Sequence, residues 1–239
     1  MGPIEKRDPW LGLSPYTAAR IALGRAGGSL RTETLLDFRL AHARAKDAVA
    51  MPFDAGALAR EIELGGIATW ALETEATDRR SFLLRPDLGR KLRASSRAAL
   101  GDRAREWGAR DMCVIVSDGL SALAAQRQTP SLLAALIPLL GALGVSLYPV
   151  FIAPFCRVKL SDEVGQALSA RHALILLGER PGLSSPDSLG AYLTLHPHAT
   201  RTDADRHCVS NIRPDGLAHA EAARTLAEIV AESASAAGG

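Results

Sequence analysis

Three apolar runs in the second half of the chain constrain its fold more than any other feature. They are DMCVIVSDG (residues 111–119), VSLYPVFIAP (145–154) and HALILLGER (172–180). Between the first two lies SLLAALIPLLGALG, which is helical in length. Between the second and third lies DEVGQALSA, a short helix that Ser161 is placed to cap. After the third, GLAHAEAARTLAEIVAES brings Ala222, Leu226, Ile229 and Val230 onto one face of an amphipathic helix. A strand buried on both faces has no solvent side to mark with polar residues, so it reads as an unbroken apolar run. Such strands occur in parallel sheets covered by helices on both sides. Residues 109–239 are therefore predicted to form a doubly wound, Rossmann-like α/β domain.

The first 108 residues read as mainly helical, with the boundary near Gly108. Ser14-Pro15 is placed to start a helix through TAARIALGR that stops at Gly27-Gly28. Thr32 is placed to cap TETLLDFRLAHARAKDAV, running to about Val49, and Pro52 and Asp54 break the chain before a short helix near GALAREIEL. IATWALET has the alternation of one strand, and RPDLGRKL is a turn leading into a helical stretch.

The uncharged stretch from Leu132 to Phe155 has the length of a membrane span. Pro138, Gly141, Gly144, Pro149 and Pro154 interrupt it, and its second half turns strand-like, so a core helix followed by a buried strand is expected instead. With 47% hydrophobic and 23% charged residues among 239, the chain can bury a core. A net charge of +2 and 5% aromatics give no case for a nucleic-acid partner. Cys113, Cys156 and Cys208 are too few and too scattered for a disulfide framework or a zinc site, and MGPIEKRDPW has no apolar signal region. A reducing, cytoplasmic setting is expected.

In an open parallel sheet, ligands bind outside the carboxyl ends of the strands. Three polar loops follow the three runs: Ser117-Asp118-Gly119, Cys156-Arg157-Val158-Lys159, and Gly178-Glu179-Arg180-Pro181-Gly182. The turn-rich segment from Gly178 to Pro214 continues as a loop around Cys208 that is expected to close over them. Glu179 is either neutralised by Arg180 or accepts hydrogen bonds from a bound cofactor, and Cys208 is either a plain buried hydrophobe or a contact residue. Asp118-Gly119 is expected to be a turn capping the next helix. GRAGGS (24–29) lacks the Gly-Lys-Ser/Thr ending of a phosphate loop and follows a helix, so it reads as a helix stop. Asp205-Arg206-His207-Cys208-Val209-Ser210 approaches a cobalt-binding Asp-x-His-x-x-Gly motif but ends in serine, so His207 is not expected to ligate a metal. No pair of carboxylates, Cys/His dyad or Ser/His/Asp set stands out. The chain is better equipped to hold a molecule than to react with it.

GRAGGSLRTETLLDFRLAHARAKDAV, LLRPDLGRKL, VIVSDGLSA, CRVKLSDEVG, GERPGLSSPDSLGAY and RHCVSNIRP occur in this order over nearly the whole chain. Together they resemble the small subunit of ethanolamine ammonia-lyase. The resemblance implies an adenosylcobalamin-dependent enzyme converting ethanolamine to acetaldehyde and ammonia by a radical mechanism. It implies a hetero-oligomer in which a large subunit carries the barrel and substrate site, and this chain helps bind cobalamin at the interface. It also implies a helical region followed by a Rossmann-like domain, and no catalytic or metal-binding residue in this chain. The cofactor contacts carried over are Val158 through apolar or backbone atoms, Glu179 as a hydrogen-bond acceptor, and Cys208 by packing or its backbone. Arg157, Arg180 and Ser210 are their expected neighbours.

Cys156 stands where the family often has glycine, and Ala50-Met51 where a histidine is common. The amino terminus lacks the long extension of some relatives, which leaves both the open cytoplasm and a bacterial microcompartment as locations. The alternative from a different class is a stand-alone α/β cofactor- or nucleotide-binding module.

Overall fold

The computed structural model describes residues 5–6, 8–17, 19–26 and 28–236. In chain order the strands are β1 (Glu5–Lys6), β2 (Arg25–Ala26), β3 (Thr69–Ala71), β4 (Met112–Ser117), β5 (Val150–Ile152), β6 (His172–Gly178), β7 (Leu189–Leu195) and β8 (Arg206–Ile212). The α-helices are α1 (Thr32–Ala50), α2 (Ala55–Leu64), α3 (Arg79–Leu84), α4 (Ala94–Trp107), α5 (Ala122–Ala142), α6 (Leu160–Ala167) and α7 (His219–Ala236).

All of β4, β5 and β6 is buried, as unbroken apolar runs demand. The main sheet has the order β3-β5-β4-β6-β7-β8. Its first four strands are parallel, which meets the α/β expectation. β3, from the first 108 residues, pairs Trp70 with Phe151 and forms one edge of this sheet. Leu58 and Ile62 of α2, Leu132, Leu133 and Leu136 of α5, and Leu226 and Val230 of α7 cover one face, against Val114, Val116, Leu174 and Leu176. Leu100 of α4 and Leu160 and Val164 of α6 cover the other, against Cys113, Ile115, Phe151 and Ile175. Each fully enclosed Leu or Phe here contributes about 1.5–3 kcal/mol. None of the described helices is long and apolar enough to cross a membrane.

Several local expectations are corrected. The sheet continues past its parallel part: β7 runs antiparallel to β6, and β8 antiparallel to β7, where a loop was expected. β7 shows the period of two that the turn-rich flank obscures, with Leu189, Ala191 and Leu193 packed in one core and Tyr192 turned toward the other. The helix expected from Thr17 to Gly27-Gly28 does not form among the described residues, which exclude Ala18 and Gly27. Pro9–Tyr16 instead makes a 3-10 helix, opened by Asp8, whose carboxylate accepts from the Trp10 amide. Ala22 and Gly24 take positive φ of 53° and 66°, and β2 pairs with β1. A short helix needs an apolar face to pack, and no residue of the 3-10 helix is buried.

At helix ends, Asp54 opens α2 by accepting from the Ala57 amide at 2.8 Å. Arg31, not Thr32, takes the cap position of α1 and makes no side-chain cap bond. Ser161 lies inside the first turn of α6, where its hydroxyl donates to the Val158 carbonyl at 2.8 Å, and Lys159 is the cap residue.

Candidate functional site

The loops that follow β4, β5 and β6 meet at the carboxyl edge of the sheet. The Leu120 amide donates to the Gly178 carbonyl at 2.8 Å, and the Phe155 amide donates to Asp118 Oδ1 at 2.7 Å. Ser117 Oγ accepts from the Cys156 amide at 2.9 Å and donates to Asp118 Oδ1 at 3.0 Å. Asp118 is buried and pairs through Oδ2 with Arg79 Nη1 at 3.0 Å. Arg79 also donates to the carbonyls of Val49, Gly119 and Leu120, so α3 and the end of α1 are tied to this turn. Burial pushes the Asp118 carboxyl up, while the Phe155 amide and the Arg79 charge pull it down. Asp118 is thus structural, but not as a helix cap. Ser121 caps α5 by accepting from the Ala124 amide at 3.2 Å. Asp118 shapes the β5–α6 loop instead.

That loop presents Val158 to two adjoining cavities. The larger, about 700 Å³, is lined by Val158, Cys208, Tyr192 and a group of cationic side chains. The smaller, about 330 Å³, is lined by Val158, Glu179, Arg180, Tyr192 and the Gly119-Leu120 turn. Arg157, Val158 and Tyr192 belong to both. The three residues singled out from the sequence therefore come together, from segments up to 50 positions apart.

Glu179 is half-buried and is not neutralised by Arg180, which is exposed. Its carboxylate accepts from Ser188 Oγ at 2.5 Å, from Ser210 Oγ at 2.6 Å and from the Asn211 amide at 3.3 Å. These donors tie β6, β7 and β8 together under the cavity. Cys208 lies on β8, not in a closing loop, and is exposed rather than buried in a core. It stands opposite Tyr192 in the β7–β8 register. Burial raises the Tyr192 hydroxyl to about 12, helped by the Cys208 and Glu179 charges. Burial and Glu179 also raise the Cys208 thiol. Both groups stay protonated at neutral pH, so the wall they form is neutral and able to donate. Tyr192 was not singled out from the sequence. The only signal for it was the alternation in SLGAYLTL.

Below the larger cavity lies a buried ion cluster. Arg206 donates to both oxygens of Asp162 at 2.8 and 2.7 Å, and Lys159 Nζ reaches Asp162 Oδ2 at 2.7 Å. Arg206 also donates to Thr194 Oγ1 at 2.8 Å. Asp162 is on α6, four residues after Val158, and Arg206 is on β8, two before Cys208, so the cluster sets Val158 against Cys208. Among the described residues, no three His, Cys, Asp or Glu side chains are grouped so as to hold a metal. His207 is exposed on β8.

A family model described as "Ethanolamine ammonia-lyase light chain (EutC)" matches residues 7–238. The ethanolamine ammonia-lyase small subunit of Pseudomonas fluorescens (strain Pf-5) is 49% identical over 231 residues, covering 96% of this chain and 84% of the relative. Those of Ralstonia nicotianae and Azotobacter vinelandii are each 49% identical, covering 95% and 94% of this chain and 84% of each relative. The chain belongs to the ethanolamine ammonia-lyase small-subunit family, as the light chain of an ammonia-lyase.

Proposed function

We propose that this chain and a large subunit hold adenosylcobalamin between them, in an enzyme that converts ethanolamine to acetaldehyde and ammonia. The observation that carries this reading is the meeting of Val158, Glu179 and Cys208 around two adjoining cavities at the carboxyl edge of the sheet. Their chemistry fits part of a corrinoid: an apolar wall from Val158, a carboxylate acceptor from Glu179, and neutral donors from Tyr192 and Cys208. Cavities of about 700 and 330 Å³ suit a portion of so large a cofactor, and the remainder falls to the partner. Bound adenosylcobalamin supplies the radical chemistry. The residues of this chain orient it and keep water from one side of it.

A partner surface is also indicated. Trp10 (62% exposed), Tyr16 (86%), Leu36, Phe38, Leu64 (89%) and Leu84 (68%) leave large apolar side chains in solvent on the amino-terminal half. These side chains are available for a large-subunit partner to cover. The direct test is co-expression with the neighbouring large-subunit candidate and an ammonia-release assay on ethanolamine, with and without adenosylcobalamin. Activity should need both chains and the cofactor. Turnover by this chain alone, or an inert but well-formed complex, would overturn the reading.

Glu179→Ala should weaken cobalamin binding by the assembled enzyme about tenfold, the value of one hydrogen bond to an ionised acceptor. Folding should be retained at a modest cost, because Ser210 and Asn211 are exposed and can bond to water, and only Ser188 among the three donors is buried. Equilibrium dialysis of the mutant complex checks this. Unchanged affinity would remove Glu179 from the contact set.

A further inference from the structure

Five cationic side chains, Arg90, Arg157, Lys159, Arg201 and Arg206, line the larger cavity. Three of them are accounted for by carboxylates. Arg206 and Lys159 share Asp162, Arg206 also reaches Asp203 at 3.3 Å, and Arg201 lies 3.6 Å from Asp205. Arg90 and Arg157 are not. Among the described residues, no carboxylate pairs with Arg157, and Asp118, whose charge acts on it, is already engaged by Arg79. Among the described residues, no carboxylate forms an ion pair with Arg90.

Arg157 is also held in place in a way that a mobile surface arginine is not. Its backbone amide donates to the Gly89 carbonyl at 2.7 Å, and its Nη2 donates to the Phe82 carbonyl at 2.8 Å. Its guanidinium sits 3.9 Å from the Phe82 ring centroid. Its Nε is buried without a partner. Burial lowers the Arg157 pKa, and the nearby charges of Arg90 and Arg79 lower it further. Two like charges, one of them rigidly held, thus line the same cavity in a chain whose overall charge is only +2. Such an arrangement costs Coulomb energy unless an anion offsets it. A guanidinium fork matches a phosphate in shape as well as charge.

The geometry points to Arg90 and Arg157 as the seat of a phosphate-class anion. Resting on the cofactor reading above, that anion is the phosphodiester of the cobalamin nucleotide tail. The amide arms of a corrinoid are neutral, so its phosphodiester is the group that two uncompensated guanidiniums would select. Glu179, a carboxylate, then faces amide donors rather than the phosphate.

The test compares two ligands on the assembled large–small complex: cyanocobalamin, and dicyanocobinamide, which lacks the nucleotide and its phosphate. Affinities are read by equilibrium dialysis and the absorbance of the corrin. Arg90→Gln is the cleaner variant, because Arg90 is exposed and has no structural partner. Arg157→Gln and the double variant follow. The double variant should weaken cyanocobalamin about 100-fold, for two lost charge-assisted contacts, and cobinamide less than about threefold. Arg90→Gln alone should also flatten the fall in cyanocobalamin affinity with added salt. Equal weakening of both ligands, or no change in either, would overturn the phosphate assignment while leaving cobalamin binding intact. Binding of neither ligand by the wild-type complex would overturn the cofactor reading itself. Titration with inorganic phosphate then decides the anion site: loss of phosphate binding in the double variant supports it, and no binding by the wild type ends it.

Discussion

Asp162→Ala is expected to cost the chain about 3–5 kcal/mol, because it strips the counter-charge from a buried arginine rather than merely losing a bond. Arg206 and Asp162 have side chains 2% and 1% exposed, so neither can turn to water when the other is removed. Lys159, 31% exposed, would also lose its partner, but it has room to reach solvent. Asp203 cannot substitute for Asp162. It meets Arg206 at only one nitrogen, at 3.3 Å, and is itself 96% exposed. For a chain of this length the loss corresponds to a melting point lowered by roughly 6–20 °C.

A second variant separates charge from packing. Asp162→Ala combined with Arg206→Met removes both ions, and should recover most of the stability lost by Asp162→Ala alone. Thermal unfolding followed by circular dichroism checks both. A double variant as unstable as the single one would mean that shape, not charge, is what Asp162 supplies. The same pair fixes Val158 against Cys208, so the single variant should also loosen the cavity before the chain unfolds.

The parallel half of the sheet was legible because burial on both faces leaves no choice of composition. MCVIVS and HALILLG have to be apolar throughout, and both form strands where the runs stand. α1 and α2 were legible from local chemistry, as a long helical segment and, after the break at Pro52 and Asp54, a short one. β7 and β8 were not. β8 is an edge strand with only Val209 and Ile212 buried, so its sequence resembles the loops beside it. Asn211, at a φ of 59°, also interrupts the regular alternation near its end. The helix expected after Ser14-Pro15 failed for the opposite reason. Its local signals were present, but no core lies against it.

The candidate site divides in the same way. Glu179 and Val158 follow apolar runs, so their place at the sheet edge came from topology, and their expected roles came from family resemblance. The partners of Glu179 did not. Arg180 is its neighbour in sequence, yet the bonds come from Ser188, Ser210 and Asn211, which β7 and β8 bring back to it. Arg90 was missed because contacts such as that between the Gly89 carbonyl and the Arg157 amide, 68 positions apart, bring it to the cavity. Interactions that close over such a distance leave no periodic trace in the chain.

Gly178→Ala should be at least as damaging as the loss of Asp162, at about 3 kcal/mol or more. A methyl group at Gly178 would lie 1.9 Å from the Ser121 carbonyl oxygen and 2.6 Å from that of Asp118. Both are backbone atoms in a turn already fixed by the Arg79–Asp118 pair, so no side-chain rotation relieves the contact. The approach is mutual. Gly119, at a φ of 51°, would place its own added methyl 2.4 Å from the Gly178 carbonyl. This is where the end of β6 passes under the turn after β4, and Glu179 is the next residue. Any shift that admits the methyl therefore moves the Glu179 carboxylate, and cobalamin affinity should fall together with stability.

Gly101→Ala is the matching control. Gly101 is inside α4, an added methyl meets nothing within 4 Å, and the change should stabilise the chain by about 0.5–1 kcal/mol. Urea unfolding of the two variants should thus shift in opposite directions. A Gly178→Ala chain with a wild-type midpoint would show that the turn is free to move, and that its tight contact with β6 does not position Glu179.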